Sequence, residues 1–144
     1  MATVKLILDR KGREVVTMVA DESVLDAARL MNERGIGGVV VTDGGKPAGI
    51  FTERDVLRRV VAEQRDPAHT PLREVMTSPL ISLHAEATLE ECMGIFTEKR
   101  VRHLPVIDGE ELCGIVTSGD ILAHQVTEQR DTIEYLHSYV YSPR

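Results

Sequence analysis

The chain has 144 residues, of which 42% are hydrophobic, and it carries a formal net charge of −6. This length suits one domain, or two small halves that share a core, and the negative charge argues against a duplex nucleic-acid binder, which needs a basic surface. The longest apolar runs are too short to cross a bilayer and no signal segment opens the chain, so we expect a cytoplasmic protein that contacts no membrane.

The predicted elements of the first half follow the order β-α-β-β-α. Asp21 and Ser23 both favour the N-cap of a helix, which Gly35 is expected to end. The Asp-Gly-Gly-Lys run at 43–46 predicts a hairpin turn between two strands. In chain order, these elements are a strand over 15–19, a helix to about 34, strands over 38–42 and 48–51, and a helix from 52 to about 64.

The second half repeats this order after a segment that contains three prolines and is predicted to be a linker with one helical turn. Its elements are a strand over 80–83, a helix over 88–99, strands over 104–107 and 112–116, and a helix from 118. We therefore divide the chain into a first repeat with an N-terminal strand at 1–66, a linker at 67–79, a second repeat at 80–126, and a helical tail at 127–144.

Two further features concern packing. All three tyrosines of the chain lie in the tail, which must pack on its own domain or on a second copy. Cys92 and Cys113 have no metal-ligand spacing and stand where the repeat favours apolar residues, so we expect both to be buried as small hydrophobes.

The two halves are copies of one unit. The heptapeptide GIFTERD at 49–55 returns as GIVTSGD at 114–120, an offset of 120 − 55 = 65 residues. At this offset, 15–57 aligns with 80–122 without a gap, and ten of the 43 pairs are identical. An internal duplication of this kind predicts two similar units that pack on each other to complete a core.

The duplicated motif has two interpretations. Thr52 with Asp55, and Thr117 with Asp120, have the spacing of a capping box at a helix start. The glycine ahead of each Thr would also let another group approach the strand end closely, and a helix N-terminus attracts phosphate. A fixed carboxylate there can accept both hydroxyls of a ribose, so the motif suits a nucleoside phosphate as well as a cap.

At this point the chain resembles the tandem CBS domains, the cystathionine β-synthase repeats that form a Bateman module. The resemblance rests on the two heptapeptides, on the Asp-Gly turns, and on the run Arg-His-Leu-Pro-Val at 102–106. It covers nearly the whole chain and is strongest with the small stand-alone bacterial CBS-pair proteins. It implies an α/β (α+β) fold in which two β-α-β-β-α repeats, related by a pseudo-twofold axis, pack sheet to sheet with two equivalent clefts between them.

The resemblance also implies ligands and the residues that bind them. Clefts of this family bind adenosyl compounds: AMP, ADP, ATP, and in some members NAD(H) or S-adenosylmethionine. The motif Asp is expected to hold the ribose and the motif Thr to meet the phosphate or ribose, while polar residues near the first strand of each repeat border the adenine or ribose. The positions that match are Asp55, Asp120, Thr52, Thr117, Thr17, Thr77 and Ser82.

Phosphate also needs cations, in which the two repeats differ. Arg54 precedes the motif Asp in the first repeat, where the second has Gly119, and we expect Arg54 to lean toward the cleft of Asp120. Arg102 and His103 could donate to phosphate oxygens. Each of the three also has a structural alternative: a solvated helix residue for Arg54, an ion pair for Arg102, and a packing residue for His103. The Asp120 cleft is our first choice for a nucleotide.

Three classes of function follow from these residues. The first is a regulatory module that senses adenine nucleotides and signals to a separate, unidentified protein by conformational change. The second is a structural dimerisation protein whose clefts are vestigial. An enzyme is disfavoured because no nucleophile has an adjacent base and the five histidines have no metal spacing. The resemblance implies a homodimer formed through the helices that flank each sheet.

Overall fold

The structure is a computed structural model that describes residues 2–141, with the backbone alone at Tyr141. The last three positions of the predicted tail, 142–144, lie outside the described residues. Helices and strands follow in the order α1 (Val4–Lys11), β1 (Thr17–Val19), α2 (Val24–Arg34), β2 (Gly38–Asp43), β3 (Lys46–Thr52), α3 (Glu53–Asp55, continued as a π-helix over Val56–Val61), a 3₁₀ turn (Pro67–His69), α4 (Leu72–Val75), α5 (Leu89–Lys99), β4 (His103–Asp108), β5 (Glu111–Thr117) and α6 (Ser118–Tyr141).

Each repeat is built on an antiparallel hairpin, as the sequence predicts. Strand β2 pairs with β3, and β4 pairs with β5. Both hairpins carry a register shift at the same place, after Val41 in the first and after Val106 in the second, which are 65 residues apart. The turn glycines Gly44 and Gly109 both have positive φ, a conformation that side chains rarely adopt. The α+β fold of two related repeats is confirmed.

The strand expected over 80–83 is wrong, because only Leu83 pairs, through a single parallel bridge to Val106. In the first repeat, strand β1 runs parallel to β2, and the amide of Val40 donates to the carbonyl of Val16 over 3.1 Å. The residue equivalent to Val40 is Pro105, which has no amide hydrogen and cannot make this bond. The second sheet therefore has two strands where the first has three.

The start of the chain forms a helix, α1, which the sequence prediction does not include and which precedes β1 of the first repeat. Its apolar residues Val4, Ile7 and Leu8 have the spacing of one helical face and are buried in the core of the second repeat. In return, Leu72 and Val75 of α4, which precedes the second repeat, are buried in the core of the first. The leading helices of the two repeats are thus exchanged.

Main-chain bonds make this exchange symmetric. The amide of Val4 donates to the carbonyl of Ala87 over 2.8 Å, and the amide of Leu72 donates to the carbonyl of Glu22 over 2.9 Å. The two acceptors are equivalent positions of the repeat, since 22 + 65 = 87. Each leading helix therefore docks at the start of the long helix of the other repeat.

The long helices end and begin where the sequence predicts. Ser23 caps α2 by accepting from the amide of Asp26, and Thr88 caps α5 in the same way. Helix α2 ends at Gly35 with φ of 64°, whereas α5 ends at the equivalent Arg100 with φ of 54°. Arg100 therefore holds a left-handed conformation that glycine adopts more easily.

The thiols differ in their burial. Cys92 is fully buried in the second core, as expected, and this burial raises the pKa of its thiol to about 11. Cys113 is only partly buried. Its partial exposure departs from the prediction that both thiols are core residues.

Helix α6 is the longest element, with 24 residues. Its first turns pack on the second repeat through Ile121 and His124, both of which are buried. Farther along, Ile133, Leu136 and Val140 are all more than half exposed. No helix within residues 2–141 is long and apolar enough to span a membrane.

Candidate functional site

A continuous cleft of about 1190 Å³ lies between the repeats and is lined by residues of both. The sequence predicts two equivalent clefts, and the structure joins their motif residues in this one space. Eight of the ten residues predicted to bind ligand line it: Thr52, Arg54, Asp55, Thr77, Arg102, His103, Thr117 and Asp120.

Thr17 and Ser82 do not line the cleft, contrary to the positions expected for them. Thr17 lies in β1, where the side chain of Met18 turns into the core and that of Thr17 turns to the exposed face. Ser82 is exposed in the segment that does not form the predicted strand. The absent strand and the alternation of β1 explain why both fall outside.

Asp55 is buried and accepts hydrogen bonds from within the chain. Its Oδ2 accepts from the amide of Thr52 over 3.0 Å, which is one half of the predicted capping box. Its Oδ1 accepts from the hydroxyl of Thr77 over 3.1 Å, and Nε of Arg59 lies 3.6 Å from the same oxygen. Both carboxylate oxygens therefore have protein donors, and the side chain is only 6% exposed.

Asp120 has a different partner. Its Oδ2 accepts from the amide of Thr117 over 2.8 Å, and its own amide donates to the hydroxyl of Thr117 over 3.1 Å, so the capping box is reciprocal. The same Oδ2 lies 2.6 Å from Nζ of Lys11, at the end of α1. The side chains of this ion pair are 30% exposed at Lys11 and 21% exposed at Asp120, so solvent and ligand can reach it.

Sequence reasoning missed Lys11 as a site residue. The exchange of leading helices explains its position, because each motif Asp is contacted by the segment that precedes the other repeat: Thr77 for Asp55, and Lys11 for Asp120. Two signals in the sequence point that way. The residues at 4, 7 and 8 have helical spacing, and the segment precedes its repeat as the linker precedes the second.

The cleft is far more basic than the chain as a whole. Eight Lys and Arg residues line it, against four Asp and Glu, in a protein whose net charge is −6. The cations are Lys11, Arg34, Arg54, Arg58, Arg59, Lys99, Arg100 and Arg102. A concave surface with this excess concentrates anions, because the low-dielectric walls focus the field.

Arg54 crosses from the first repeat to the second. Its Nη1 donates to the carbonyl oxygen of Arg100 over 2.6 Å. The guanidinium is thereby anchored at the end of α5, near the entry of β4. The side chain thus crosses the boundary between the repeats, and its reach toward Asp120 stays a prediction.

His103, at the start of β4, packs against two glycines of the first repeat. A Cβ built on Gly37 would lie 3.3 Å from Nε2 of His103, and one built on Gly38 would lie 3.4 Å from its Cδ2. The two glycines therefore leave the space that the ring fills. Burial lowers the pKa of His103, an effect that Glu53 opposes. The ring consequently favours the neutral form, in which one nitrogen can still donate.

The motif glycines serve packing of the chain on itself instead of access for a ligand. A Cβ on Gly49 would lie 2.8 Å from the carbonyl oxygen of Thr77, and one on Gly114 would lie 2.6 Å from Cδ2 of Leu8. The segments that press on these glycines are the linker and α1. Both glycines thus let another group approach the strand end closely, as the sequence predicts, and the approaching segments bring Thr77 and Lys11 to the cleft.

Within residues 2–141, the structure contains no cluster of three or more His, Cys, Asp or Glu side chains that could hold a metal ion. The two motif carboxylates, Asp55 and Asp120, lie on the wall of the cleft among an excess of cations.

Comparisons with known proteins agree on one family. The model of the CBS domain matches residues 11–62 and 72–127. A CBS domain-containing protein of Bacillus subtilis, YhcV, is 32% identical over 129 residues, which cover 90% of this chain and 89% of that protein. The mitochondrial CBS domain-containing protein CBSX3 of Arabidopsis thaliana is 31% identical over 147 residues, which cover 96% of this chain and 71% of that protein.

Solved structures give the same result. A protein with CBS domains from Burkholderia ambifaria is 40% identical, superposes with a TM-score of 0.86, and is matched over 89% of this chain and 96% of its own. Tandem CBS pairs are modules that bind adenosyl ligands and regulate partner proteins. The chain belongs to the CBS domain family, as a tandem pair of the stand-alone bacterial type.

Proposed function

We propose that this protein is a regulatory module that binds an adenine nucleotide, AMP, ADP or ATP, in the cleft between its repeats, with NAD(H) as a related ligand. It performs no chemistry and passes a conformational signal about energy or redox state to a separate protein. The observation that carries this proposal is the excess of cations, eight against four acids, around two motif carboxylates in an otherwise acidic chain.

The Asp120 side of the cleft is the better place for the ribose and phosphate. Asp55 is buried and its two oxygens already have donors, whereas Asp120 is reached by solvent. An ion pair as exposed as Lys11–Asp120 contributes at most about 1 kcal/mol. A ribose diol can therefore replace Lys11 on the carboxylate at little cost, and the freed ammonium stays within reach of a phosphate.

A ligand in this position would couple the two repeats. Arg54 comes from the first repeat, and Thr117 and Asp120 come from the second, so a nucleotide that contacts all three shifts the equilibrium between different relative positions of the repeats. Lys11 adds a second route, because its release from Asp120 removes one of the two contacts, with Asp120 and the carbonyl of Ile115, that hold its ammonium on the second repeat.

We also propose that the protein is a homodimer. Leu57 and Val61 on α3 are each more than 60% exposed, and their equivalents by the 65-residue offset, Leu122 and Val126, are exposed on α6. Two apolar patches at matching positions form a surface that a second copy can cover by the same twofold relation. These helices are among those that flank the sheets, through which the family resemblance implies dimer contact.

Thermal unfolding with added ligand tests the nucleotide proposal. AMP, ATP and NADH are each titrated, because a ligand that binds only the folded state at 100 times its dissociation constant adds about 2.7 kcal/mol of stability. We expect Asp120→Ala to remove most of the shift and Asp55→Ala to remove less. Asp131→Ala, an exposed acid farther along α6, is the matched control and should keep the whole shift.

The structural dimerisation protein is the second candidate, and the exposed apolar surface on α3 and α6 favours it. A wild-type protein whose unfolding temperature is indifferent to AMP, ATP, NADH and S-adenosylmethionine, yet which sediments as a dimer, would replace the sensor with this role. Chromatography of the nucleotide after incubation distinguishes the sensor and the dimerisation protein from an enzyme, since neither of them converts the nucleotide.

A further inference from the structure

The far part of α6 has the sequence of a coiled-coil strand. Its exposed apolar residues follow the alternating spacing of four and three that defines a heptad seam. Written along the helix, the seam is Leu122, Val126, Gln129, Ile133, Leu136 and Val140. Five of the six are apolar and exposed, and Gln129 is the single polar residue among them.

This seam lies away from the body of the protein. Ile121 and His124, which pack on the second repeat, are buried. At about 100° of rotation per residue, their side of the helix is turned roughly 130° from the seam. From Gln129 onward, a second helix can therefore lie along the seam without meeting the repeat that carries it; at the start of the seam, the flanking Gln125 donates to Sδ of Met93.

The identities of the seam residues specify the kind of partner. Val126, Ile133 and Val140 occupy the a positions, and Leu122 and Leu136 occupy d positions. β-Branched residues at a with Leu at d favour two parallel strands, and the d-position Gln129 leaves no unpaired amide in the seam only when the two helices are in register. In a parallel pair of identical helices, Gln129 meets its own counterpart, and both amides can hydrogen-bond.

Charge is compatible with a second copy of the same helix. The positions that flank the seam carry Arg130 as their one Asp, Glu, Lys or Arg residue, and in a parallel pair it faces Gln125 of the partner helix. The acids Glu128, Asp131 and Glu134 lie on the outer positions of the helix. No like charges are brought together, so the homotypic pairing carries no electrostatic penalty.

We infer that α6 pairs with α6 of a second copy as a short parallel two-stranded coiled coil over 122–140. This inference deepens the proposed homodimer, because Leu122 and Val126 belong to both surfaces and the seam continues that surface along the tail. It assigns the exposed tail a partner of defined chemistry, orientation and register. It does not depend on nucleotide binding.

Disulfide cross-linking of the full chain tests orientation and register together. In a Cys113→Ser background, Leu136→Cys places thiols across the seam at the same level of both helices, where a parallel pair brings them within bonding range. We expect a covalent dimer on mild oxidation. Ser138→Cys, at an outer position, is the matched control and should stay monomeric on a denaturing gel. No cross-link at 136, or equal cross-linking at 138, would overturn the inference.

Sedimentation separates this interface from the one on the body. Ile133→Glu with Leu136→Glu should weaken association at least about a hundredfold while leaving the unfolding temperature of the monomer unchanged, because both residues are exposed. Gln129→Leu should instead strengthen association about tenfold, since it removes the polar residue of the seam.

Leu57→Glu with Val61→Glu tests the body surface by itself. If it abolishes the dimer while the Leu136→Cys cross-link still forms at higher concentration, both proposals stand. If the Ile133 and Leu136 substitutions leave the dimerisation constant unchanged, the proposed homodimer stands and the coiled coil is wrong.

Discussion

Nζ of Lys11 lies 2.6 Å from Oδ2 of Asp120, although the two residues are 109 positions apart in the chain. The ammonium also donates to the carbonyl of Ile115 over 3.0 Å, which fixes it beside β5. Lys11, from the helix before the first repeat, is thus ion-paired with Asp120, the motif carboxylate of the second repeat. The same oxygen is the one proposed to hold a ribose, so ligand and Lys11 compete for it.

The first prediction concerns this competition. Lys11→Met should raise the affinity for adenosine, because the carboxylate no longer has to give up a partner, and lower the preference for AMP over adenosine by about tenfold, or about 1.4 kcal/mol, because the phosphate loses a cation. Calorimetric titration of both ligands measures the ratio. Lys5→Met, an exposed change on the same helix, is the control. An unchanged ratio would show that Lys11 takes no part in binding phosphate.

The second prediction concerns pH. Burial lowers the pKa of His103 in the folded state, so the unfolded chain, with an ordinary value of about 6.5, binds more protons as pH falls. The stability that depends on the neutral ring is therefore present above about pH 6.5 and is lost as pH falls through the lower folded value. Glu53, Lys11, Asp120 and Arg102 also act on this ring, and their charges are kept in the variant.

Chemical denaturation between pH 7.5 and 5 tests this with His103→Gln as the comparison. The wild-type free energy of unfolding should fall more steeply toward acid than that of the variant. Parallel curves for the two proteins would mean that the ring titrates alike in the folded and unfolded states.

The third prediction compares glycines. Gly49→Ala brings a methyl group within 2.8 Å of a main-chain oxygen of the linker, whereas Gly114→Ala meets the side chain of Leu8. Overpacking of this kind costs about 1–3 kcal/mol, and we expect Gly49→Ala to be the more costly, since backbone yields less than a side chain. Gly94→Ala, in the open face of α5, should stabilise by about 0.5–1 kcal/mol. Urea unfolding of all three variants gives the order, and a cost at Gly114 equal to or above that at Gly49 would contradict it.

The fourth prediction concerns Arg100, whose φ of 54° matches that of Gly35 at the equivalent position. Arg100→Gly should stabilise the free protein by about 1 kcal/mol, since a left-handed residue with a Cβ costs about 1–2 kcal/mol. The same change removes one cation from the cleft and should weaken nucleotide binding. Thermal unfolding with and without ATP measures both effects. A variant less stable than the wild type would indicate that the side chain itself holds α5 in place.

Much of the fold can be predicted from the residues because its determinants are local. Ser23 and Thr88 cap their helices, Asp-Gly turns close both hairpins, and the offset of 65 transfers each element to the second repeat. The strand over 80–83 fails for a reason visible only in three dimensions. Pro105 lies opposite the residue equivalent to Val16 and cannot donate the main-chain hydrogen bond that this strand would need. No local sequence pattern shows that the two positions pair.

In the candidate site, too, the residues placed by local sequence could be predicted, and those placed by contacts between the repeats could not. The motif residues could be predicted because the heptapeptide brings its own helix start and its own carboxylate to the end of a strand. Lys11 could not be predicted in this way, since its place depends on α1 crossing to the other repeat. Thr17 was expected from the first strand alone, and the alternation of that strand turns it outward.

The exchange of α1 and α4 also bears on how such a chain arises. In each repeat the leading helix packs on the core of the other repeat, as it would between the two subunits of a domain-swapped pair. Two identical subunits that exchange helices form a domain-swapped pair, and joining their genes end to end yields the arrangement seen here. The linker would then be the segment that joined the two copies. Cutting the chain there should leave two fragments that reassemble only when each packs its leading helix on the other.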